Sequence, residues 1–537
     1  MPKIEIFDST LRDGAQGEGV SYTLHDKLAI TEELDRLSVD YIEAGNPASN
    51  PKDAEFFVKA RELNLRHAKL VAFGSTRRKD VRPEEDPGLL ALLGAHTEVV
   101  TVFGKANIMQ VTEVLGTTLE NNLAMIYDTV RFLHDNGRQV IFDAEHFFDG
   151  YRGSAEYALS CLEAAQNAGA STVVLCDTNG GTFPDEVQRI VAEVASVTEA
   201  AIGIHCHNDN GCATANSIMA VRAGATQVQG TFIGIGERCG NANLSTIIPS
   251  LQLKLGYECI PEARLSRLTK TARFIAEVSN MTLDKSLPYV GESAFAHKGG
   301  MHVDGVNKNS ASFEHISPES VGNKRSILVS EMSGRAAMLS VIREVDPTIT
   351  KDSVEARMLT DLLKDLEAHG YLFESASASL ELLITKQLGR FRPFFKLQRF
   401  KVIGEQDASG EAGLSSAMIN IRVGDETEIT AAEGDGPVHA LDTALKKAVM
   451  RFYPAVGQLR LTDYKVRVME PGEATAATVR VLITTTDGAD IWTTVGVSRD
   501  IIEASLSALM DSIEYRLLKQ AEEQEETLPE SVMEETR

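Results

Sequence analysis

Three stretches decide the fold: VIFDAEH at residues 140–146, TVVLCDTN at 172–179 and AIGIHCHND at 201–209. Each is a short β-branched, apolar run that ends in polar residues. Segments of helical period, Ala155 to Ala168 and Asp185 to Ser196, lie between them. This alternation predicts βα units. Working outward, the rhythm runs from residue 4 to 256, with further strands predicted at Ile4 to Asp8, Tyr41 to Ala44, Leu70 to Gly74, Val99 to Phe103 and Gln227 to Ile233. Helices are predicted at Asp26 to Leu37, Leu119 to Asn136, Thr214 to Ala223 and Leu244 to Leu255. Eight such units match the size of an α/β TIM (β/α)8 barrel, assigned here to residues 1–275. An open doubly wound sheet would more often carry a glycine fingerprint after its first strand, and this chain has none.

Beyond the barrel the pattern changes. Residues 276–395 read as mainly helical linker subdomains, with a Gly-rich loop, Ala296 to His302, that carries His302. Residues 396–520 read as an α+β domain of two βββα repeats. The first has strands at Lys401 to Gly404, Ala417 to Val423 and Thr427 to Ala432 before a helix from Val438 to Phe452. The second has strands at Leu461 to Met469, Thr478 to Thr485 and Ile491 to Val497 before a helix from Asp500 to Leu518. Duplicated units of this size usually bind a small ligand or a sister copy between their halves, and such a role is expected here. Residues 521–537, with seven glutamates, read as a solvated acidic tail.

The 537 residues amount to about three domains. Their 43% hydrophobic content is ample for buried cores, and a net charge of −24 disfavours a nucleic-acid partner. Six cysteines without a Cys-x-x-Cys pair exclude zinc-knuckle spacing and a disulfide framework, which points to the reducing cytoplasm. They read as buried small hydrophobes, with Cys206 facing away from the barrel interior. The start, Met1 to Asp8, has no basic-then-apolar signal and no run of 18 apolar residues occurs, so neither export nor a membrane partner is expected.

In such a barrel, chemistry sits at the C-terminal strand ends. These supply Arg12 and Asp13 after the first strand, Glu43 after the second, Glu145 after the fifth, Thr178 after the sixth, His205 and His207 at the seventh, and Asn241 beyond the eighth. Alternate strand residues share a face, so His205 and His207 project together. Two imidazoles with a carboxylate, for which Asp13 is the best candidate, make a divalent-metal site, with Asn241 as a further oxygen ligand. The competing reading is an ordinary strand pair bonded to its neighbours. Arg12 has the donor fork to polarise a carbonyl or hold a carboxylate, or to pair with Glu43 or Glu145. Thr178 suits a substrate carboxylate or a cap on the helix entering at Pro184. His302, in a Gly-rich loop, suits a general base or is merely solvated.

These residues carry a family pattern. Asp8-Ser9-Thr10-Leu11-Arg12-Asp13-Gly14-Ala15-Gln16, His205-Cys206-His207-Asn208-Asp209 and Gly236-Glu237-Arg238-Cys239-Gly240-Asn241 resemble the 2-isopropylmalate, homocitrate and citramalate synthase family. Gly434-Asp435-Gly436-Pro437-Val438-His439-Ala440-Leu441 resembles the allosteric domain at the end of its isopropylmalate and citramalate members, and residues 8–19 and 49–53 look most like its bacterial citramalate branch. The resemblance implies a Claisen-type condensation of acetyl-CoA with pyruvate, then thioester hydrolysis to (R)-citramalate, by an acyltransferase on a threonine-independent route to isoleucine. The rival within the family takes 2-oxoisovalerate towards leucine. It also implies metal ligands at Asp13, His205, His207 and Asn241 for Mg or Mn, with Zn as the other choice. Arg12 matches the residue that activates the keto oxygen, Glu145 and Thr178 the substrate contacts, and His302, with Asp304, the base. Isoleucine as feedback inhibitor and a homodimer follow. One departure is Phe313, where the family commonly has a tyrosine; Tyr289 or His315 is the group expected to substitute for it.

Related chemistries fit less well. A hydroxymethylglutaryl-CoA lyase carries a Cys-Pro-Tyr-like loop where this chain has Arg238-Cys239-Gly240-Asn241, and it ends soon after the barrel. A carboxyltransferase would want a biotin-facing lysine between these strand ends. A ligand sensor without activity would not keep Arg12, Asp13, Glu145, His205 and His207 together.

Overall fold

The computed structural model describes residues 2–298, 300–327, 353–404, 414–469, 477–488 and 490–526, together with 339, 342, 343 and 345–350. The chain divides into two compact units. One is Met1–Ala296 with Glu314–Ser326, and the other is His297–Phe313 with Ile327–Arg537. The boundary therefore falls inside the stretch read as a linker.

The first unit holds a closed barrel of eight parallel strands in sequence order, as predicted: β1 (Glu5–Asp8), β2 (Tyr41–Glu43), β3 (Lys69–Ser75), β4 (Val99–Lys105), β5 (Gln139–Glu145), β6 (Thr172–Asp177), β7 (Ala201–Cys206) and β8 (Gln227–Gly230). Closure is between β1 and β8, where Asp8 pairs with Gly230 on one side and with Ile42 of β2 on the other. Strand alternation sorts the side chains. Phe7, Tyr41, Val71, Val99, Ile141, Val174 and Cys176 fill the barrel interior, while their neighbours Ile6, Ile42, Ala72, Val100, Val140 and Phe142 join the larger core beneath the helices. This apolar layer fills part of the barrel interior, and polar side chains such as Asp143 and Gln229 lie above it towards the C-terminal mouth.

The eighth strand is shorter than its apolar run suggests. It stops at Gly230, and Phe232 N–H donates to the Thr10 hydroxyl at 2.9 Å instead of continuing the ladder. Ile233 takes a left-handed backbone with φ 55°. Thr10 is itself held by Asp8, which accepts from its N–H at 3.0 Å and its hydroxyl at 2.9 Å. The two loops that frame the mouth are thus joined.

In the second unit each predicted βββα copy is present. Strands Lys396–Gly404, Ser415–Val423 and Glu426–Gly434 precede the helix Pro437–Met450; strands Arg460–Val468, Val479–Thr486 and Ile491–Ser498 precede the helix Ile501–Glu526. The sheets are antiparallel meanders. Ala417, Ile419 and Ile421 alternate with less buried residues and meet Leu441, Ala444, Leu445 and Ala448 in one core with Val481, Ile483 and Leu509. The last helix runs eight residues past its predicted end and takes in the first six residues of the acidic stretch; residues 527–537 lie outside the described residues. The loop predicted around His302 is instead a helix, Gly300–Lys308. Its glycines argued for a loop, but Val303 and Val306, three apart and both buried, give it an apolar face that helical geometry satisfies.

Lys27, on the helix Leu24–Leu37, is almost wholly buried and donates to Ala44 O at 2.7 Å and Asp53 Oδ1 at 2.5 Å. It locks the first helix to the end of β2 and to the helix Pro51–Lys59. Removing one partner of a buried pair strands the other charge, so Lys27→Ala is expected to destabilise the barrel by about 3–5 kcal/mol. Lys27→Met combined with Asp53→Leu should lose much less, and urea unfolding of both variants makes the comparison.

Candidate active site

The predicted residues of the first unit gather at the C-terminal mouth of the barrel. Arg12 and Asp13 follow β1, on the short turn whose N–H groups return to Ser9. Arg12 donates from Nε to Glu43 Oε2 at 2.7 Å and from Nη1 to Asp13 Oδ2 at 2.9 Å, and its guanidinium lies 4.0 Å over the Phe73 ring. The pairing with Glu43 is present and that with Glu145 is not. Glu145 instead faces Lys105 Nζ at 2.5 Å, its register partner on β4. Ser9 Oγ also donates to Glu43 Oε2, at 2.6 Å.

His205 and His207 project from one face of β7, with ring centroids 5.3 Å apart. Their Nε2 atoms lie 3.4 and 4.0 Å from Asp13 Oδ2, and the donor atoms of all three side chains fall within 4.8 Å of one another. Asn241 reaches the same point because His207 and Asn241 form a backbone bridge; its Nδ2 donates to Asp13 Oδ1 at 3.0 Å. Two buried atoms, His207 Nδ1 and Asn241 Oδ1, have no hydrogen-bond partner among the described residues. Cys206, between the histidines, faces outward into the core as the strand period requires.

The charges respond to this crowding. Burial opposes ionisation of Asp13, but Arg12 and then the histidines outweigh it and hold the carboxyl well below its ordinary range. Burial pulls His205 down, and the bond and charge of Asp13 more than reverse it. His207, buried and beside His205, is pushed down to about 4. Burial lifts Asp8 to about 7, and burial with the Glu43 charge does the same to Asp143.

Thr178 does not cap the helix Pro184–Ala195, which begins without a side-chain cap. Its hydroxyl oxygen accepts from His146 N–H at 2.8 Å and joins the loops after β5 and β6. Sequence reasoning missed Arg238 as a structural member. Its fork donates to both Asp209 oxygens, at 2.8 and 3.0 Å, and to Thr178 O at 2.8 Å, so three strand-end loops are tied together. Gly240 makes the approach possible. Its φ is 86°, and a Cβ there would stand 2.0 Å from Gly234 O. Lys105, Asp143 and Gln229 were missed as well; the signal was their in-facing parity with Glu145 and His205.

His302 belongs to the second unit. It is exposed, its ring stacks on Phe313 at 4.2 Å, and Asp304 pairs with Lys308 at 2.6 Å. In the first unit Tyr289 lies hydroxyl to hydroxyl with Ser250 at 3.0 Å and packs edge-on to His315.

Known proteins share this layout. Residues 3–275 match the family described as HMGL-like, 289–370 the homocitrate synthase post-HMGL domain-like family, and 374–517 the LeuA allosteric (dimerisation) domain. An (R)-citramalate synthase of Aquifex aeolicus is 52% identical over 97% of this chain and 99% of its own. The chain belongs to the 2-isopropylmalate, homocitrate and citramalate synthase family. An (R)-citramalate synthase of Geobacter sulfurreducens is 47% identical over the same shares of the two chains, 97% and 99%. A 2-isopropylmalate synthase of Heliobacterium modesticaldum is 31% identical over 95% of this chain and 96% of its own. Members of this family are acyl-CoA-dependent condensing transferases, and this chain is an enzyme of that kind. No helix among the described residues is long and apolar enough to cross a membrane.

The cysteine reading needs one correction. Cys161, Cys176, Cys206 and Cys259 are buried and Cys212 is half-buried, but Cys239 is exposed, because the loop that delivers Asn241 turns its side chain outward. Burial raises the Cys176 and Cys206 thiols well above their ordinary range. A thiol reagent on the native protein is expected to modify Cys239 first and the four buried thiols only on unfolding, as peptide mapping would read. Early labelling of Cys206 would contradict its place on the outer face of β7.

Proposed function

We propose that this chain condenses acetyl-CoA with pyruvate and hydrolyses the thioester to (R)-citramalate and CoA, in the cytoplasm, on a threonine-independent route to isoleucine. The observation that carries this reading is the 52% identity to an (R)-citramalate synthase over nearly the whole chain, against 31% to a 2-isopropylmalate synthase. The mouth of the barrel supports it.

Asp13, His205, His207 and Asn241 are the residues that would hold a divalent metal. Two imidazoles, a carboxylate and an amide oxygen suit Mg, Mn or Zn, and the partnerless Asn241 Oδ1 is a buried acceptor that a cation would satisfy. When bound, such an ion supplies electrophilic stabilisation of the negative charge that develops on the acceptor's keto oxygen. Arg12 uses Nε and Nη1 on Glu43 and Asp13, which leaves the Nη2 hydrogens to donate to a substrate oxygen. Thr178 accepts from His146, so its own hydroxyl hydrogen is available to a substrate carboxylate. Glu145, held by Lys105, is the further substrate contact.

The α-proton of a thioester is weakly acidic, so the condensation needs a base. The resemblance assigns it to His302. The base removes a methyl proton from acetyl-CoA, the resulting carbon nucleophile bonds to C2 of pyruvate, and the carbonyl electron pair moves to oxygen, which takes up a proton in exchange for the one lost. Water then adds at the thioester carbon, the C–S bond breaks, and CoA leaves as the thiol with a proton from that water. The allosteric domain is proposed to form a homodimer and to bind isoleucine, with Gly434-Asp435-Gly436 leading into the helix at Pro437.

Steady-state rates with pyruvate, 2-oxobutanoate and 2-oxoisovalerate, following thiol release from acetyl-CoA, test the acceptor. Pyruvate is expected to give the highest kcat/KM, and a preference for 2-oxoisovalerate would favour the leucine-route activity. EDTA should abolish turnover and Mg or Mn should restore it. His302→Ala is expected to lower kcat by about 10²- to 10⁴-fold with little change in KM for pyruvate. Millimolar isoleucine should inhibit by roughly 5- to 150-fold, the range of ordinary allosteric coupling. Indifference to both isoleucine and leucine, with no binding in calorimetry, would leave the domain as a dimerisation module alone.

A further inference from the structure

The two histidines at the mouth are held differently. His205 Nδ1 lies 3.0 Å from Gln229 Oε1, whereas His207 Nδ1 is buried without a partner among the described residues. Gln229 is on β8, directly beside His205 in the strand register, and is fully buried. Its amide nitrogen donates to Asp143 Oδ1 at 3.2 Å, across the barrel from β5. A line of three buried side chains therefore runs from β5 through β8 to β7.

The contacts give this line a direction, with the Gln229 amide nitrogen on Asp143 and its oxygen on His205. A carboxyl oxygen accepts from an amide N–H whether or not the group is ionised, because the neutral acid keeps a carbonyl oxygen. With its nitrogen committed to Asp143, Gln229 presents its carbonyl to His205. A carbonyl can only accept, so Nδ1 of His205 carries a hydrogen, and Nε2, 3.4 Å from Asp13 Oδ2, is the nitrogen that gives up its proton and offers a lone pair to a cation. We infer that Gln229, itself oriented by Asp143, is a positioning residue that locks His205 in the Nδ1–H tautomer and aims Nε2 at the metal site. The inference rests on the metal reading above.

An outer partner of this kind typically changes metal affinity by about 10- to 100-fold. Gln229→Met keeps length and volume but has no acceptor for His205. The exchange Asp143→Asn with Gln229→Glu reverses the polarity of the outer bond and keeps the acceptor towards His205. Mn²⁺ titration of the full-length protein, with free Mn²⁺ read by EPR, should show the single variant weakened by about 10- to 100-fold and the exchange within about 3-fold of the parent. A merely structural role predicts no such rescue. Nitrogen-15 spectra of the histidine-labelled, metal-free protein, taken at a pH where the His205 ring is neutral, give the second readout: His205 should be the Nδ1–H tautomer in the parent and a mixture in Gln229→Met.

Parent-like Mn²⁺ affinity in a folded Gln229→Met would overturn the inference and leave the metal site standing. If the parent itself bound no Mn²⁺, the metal reading would fall. The tautomer spectrum would still decide the role of Gln229, since an Nε2–H form in the parent refutes it.

Discussion

A guanidinium taken out of water needs carboxylates around it, and the mouth of this barrel is arranged about that need. Arg12 receives Glu43 from β2 at one edge and Asp13 from its own turn at another, and it rests on Phe73 of β3. The pairing holds Asp13 charged in spite of burial, and a charged Asp13 in turn draws His205 towards protonation when no cation is there. A planar fork bonded at two edges and stacked on a ring has little freedom left. Lysine at this position would keep the charge and lose the geometry.

Around that centre the rigidity is uneven. His205 is braced from behind, while His207 Nδ1 has no such partner among the described residues, and Asn241 is delivered by a loop rather than a strand. Loops alone would place a ligand poorly, so this one is tied in twice, by Arg238 to Asp209 and Thr178 and by the close approach of Gly240 to Gly234. Sites held by such second contacts need little rearrangement when substrate arrives, which is where positional catalysis gains its advantage.

The second unit solves a simpler problem twice. Each three-stranded sheet buries one face against its own helix, and the lone tryptophan, Trp492, donates to Ser512 Oγ at 3.0 Å so that its indole N–H is not stranded in the core. The first strand of each copy is an edge and stays largely exposed, where polar and charged residues interrupt the apolar ones. Sequence duplication shows in the structure as duplicated burial.

What the chain declares along its own length is periodicity. A period of two makes strands and puts His205 and His207 on one side with Cys206 on the other; a period near 3.6 makes the helices, and eight repeats of the pair close the barrel. Those features depend on neighbours a few residues apart, so the order of residues is enough to read them. Tertiary structure alone decided the rest. It gave Glu145 to Lys105 by strand register and Glu43 to Arg12 through the turn after β1, brought Asp143 against Gln229 from 86 positions away, and turned Cys239 outward. His302 was read as a loop residue because glycines dominate its surroundings, yet the burial of Val303 and Val306 settled a helix. Such contacts come from the closure of the barrel and from the packing of each unit, which set distances between strands that local sequence does not encode.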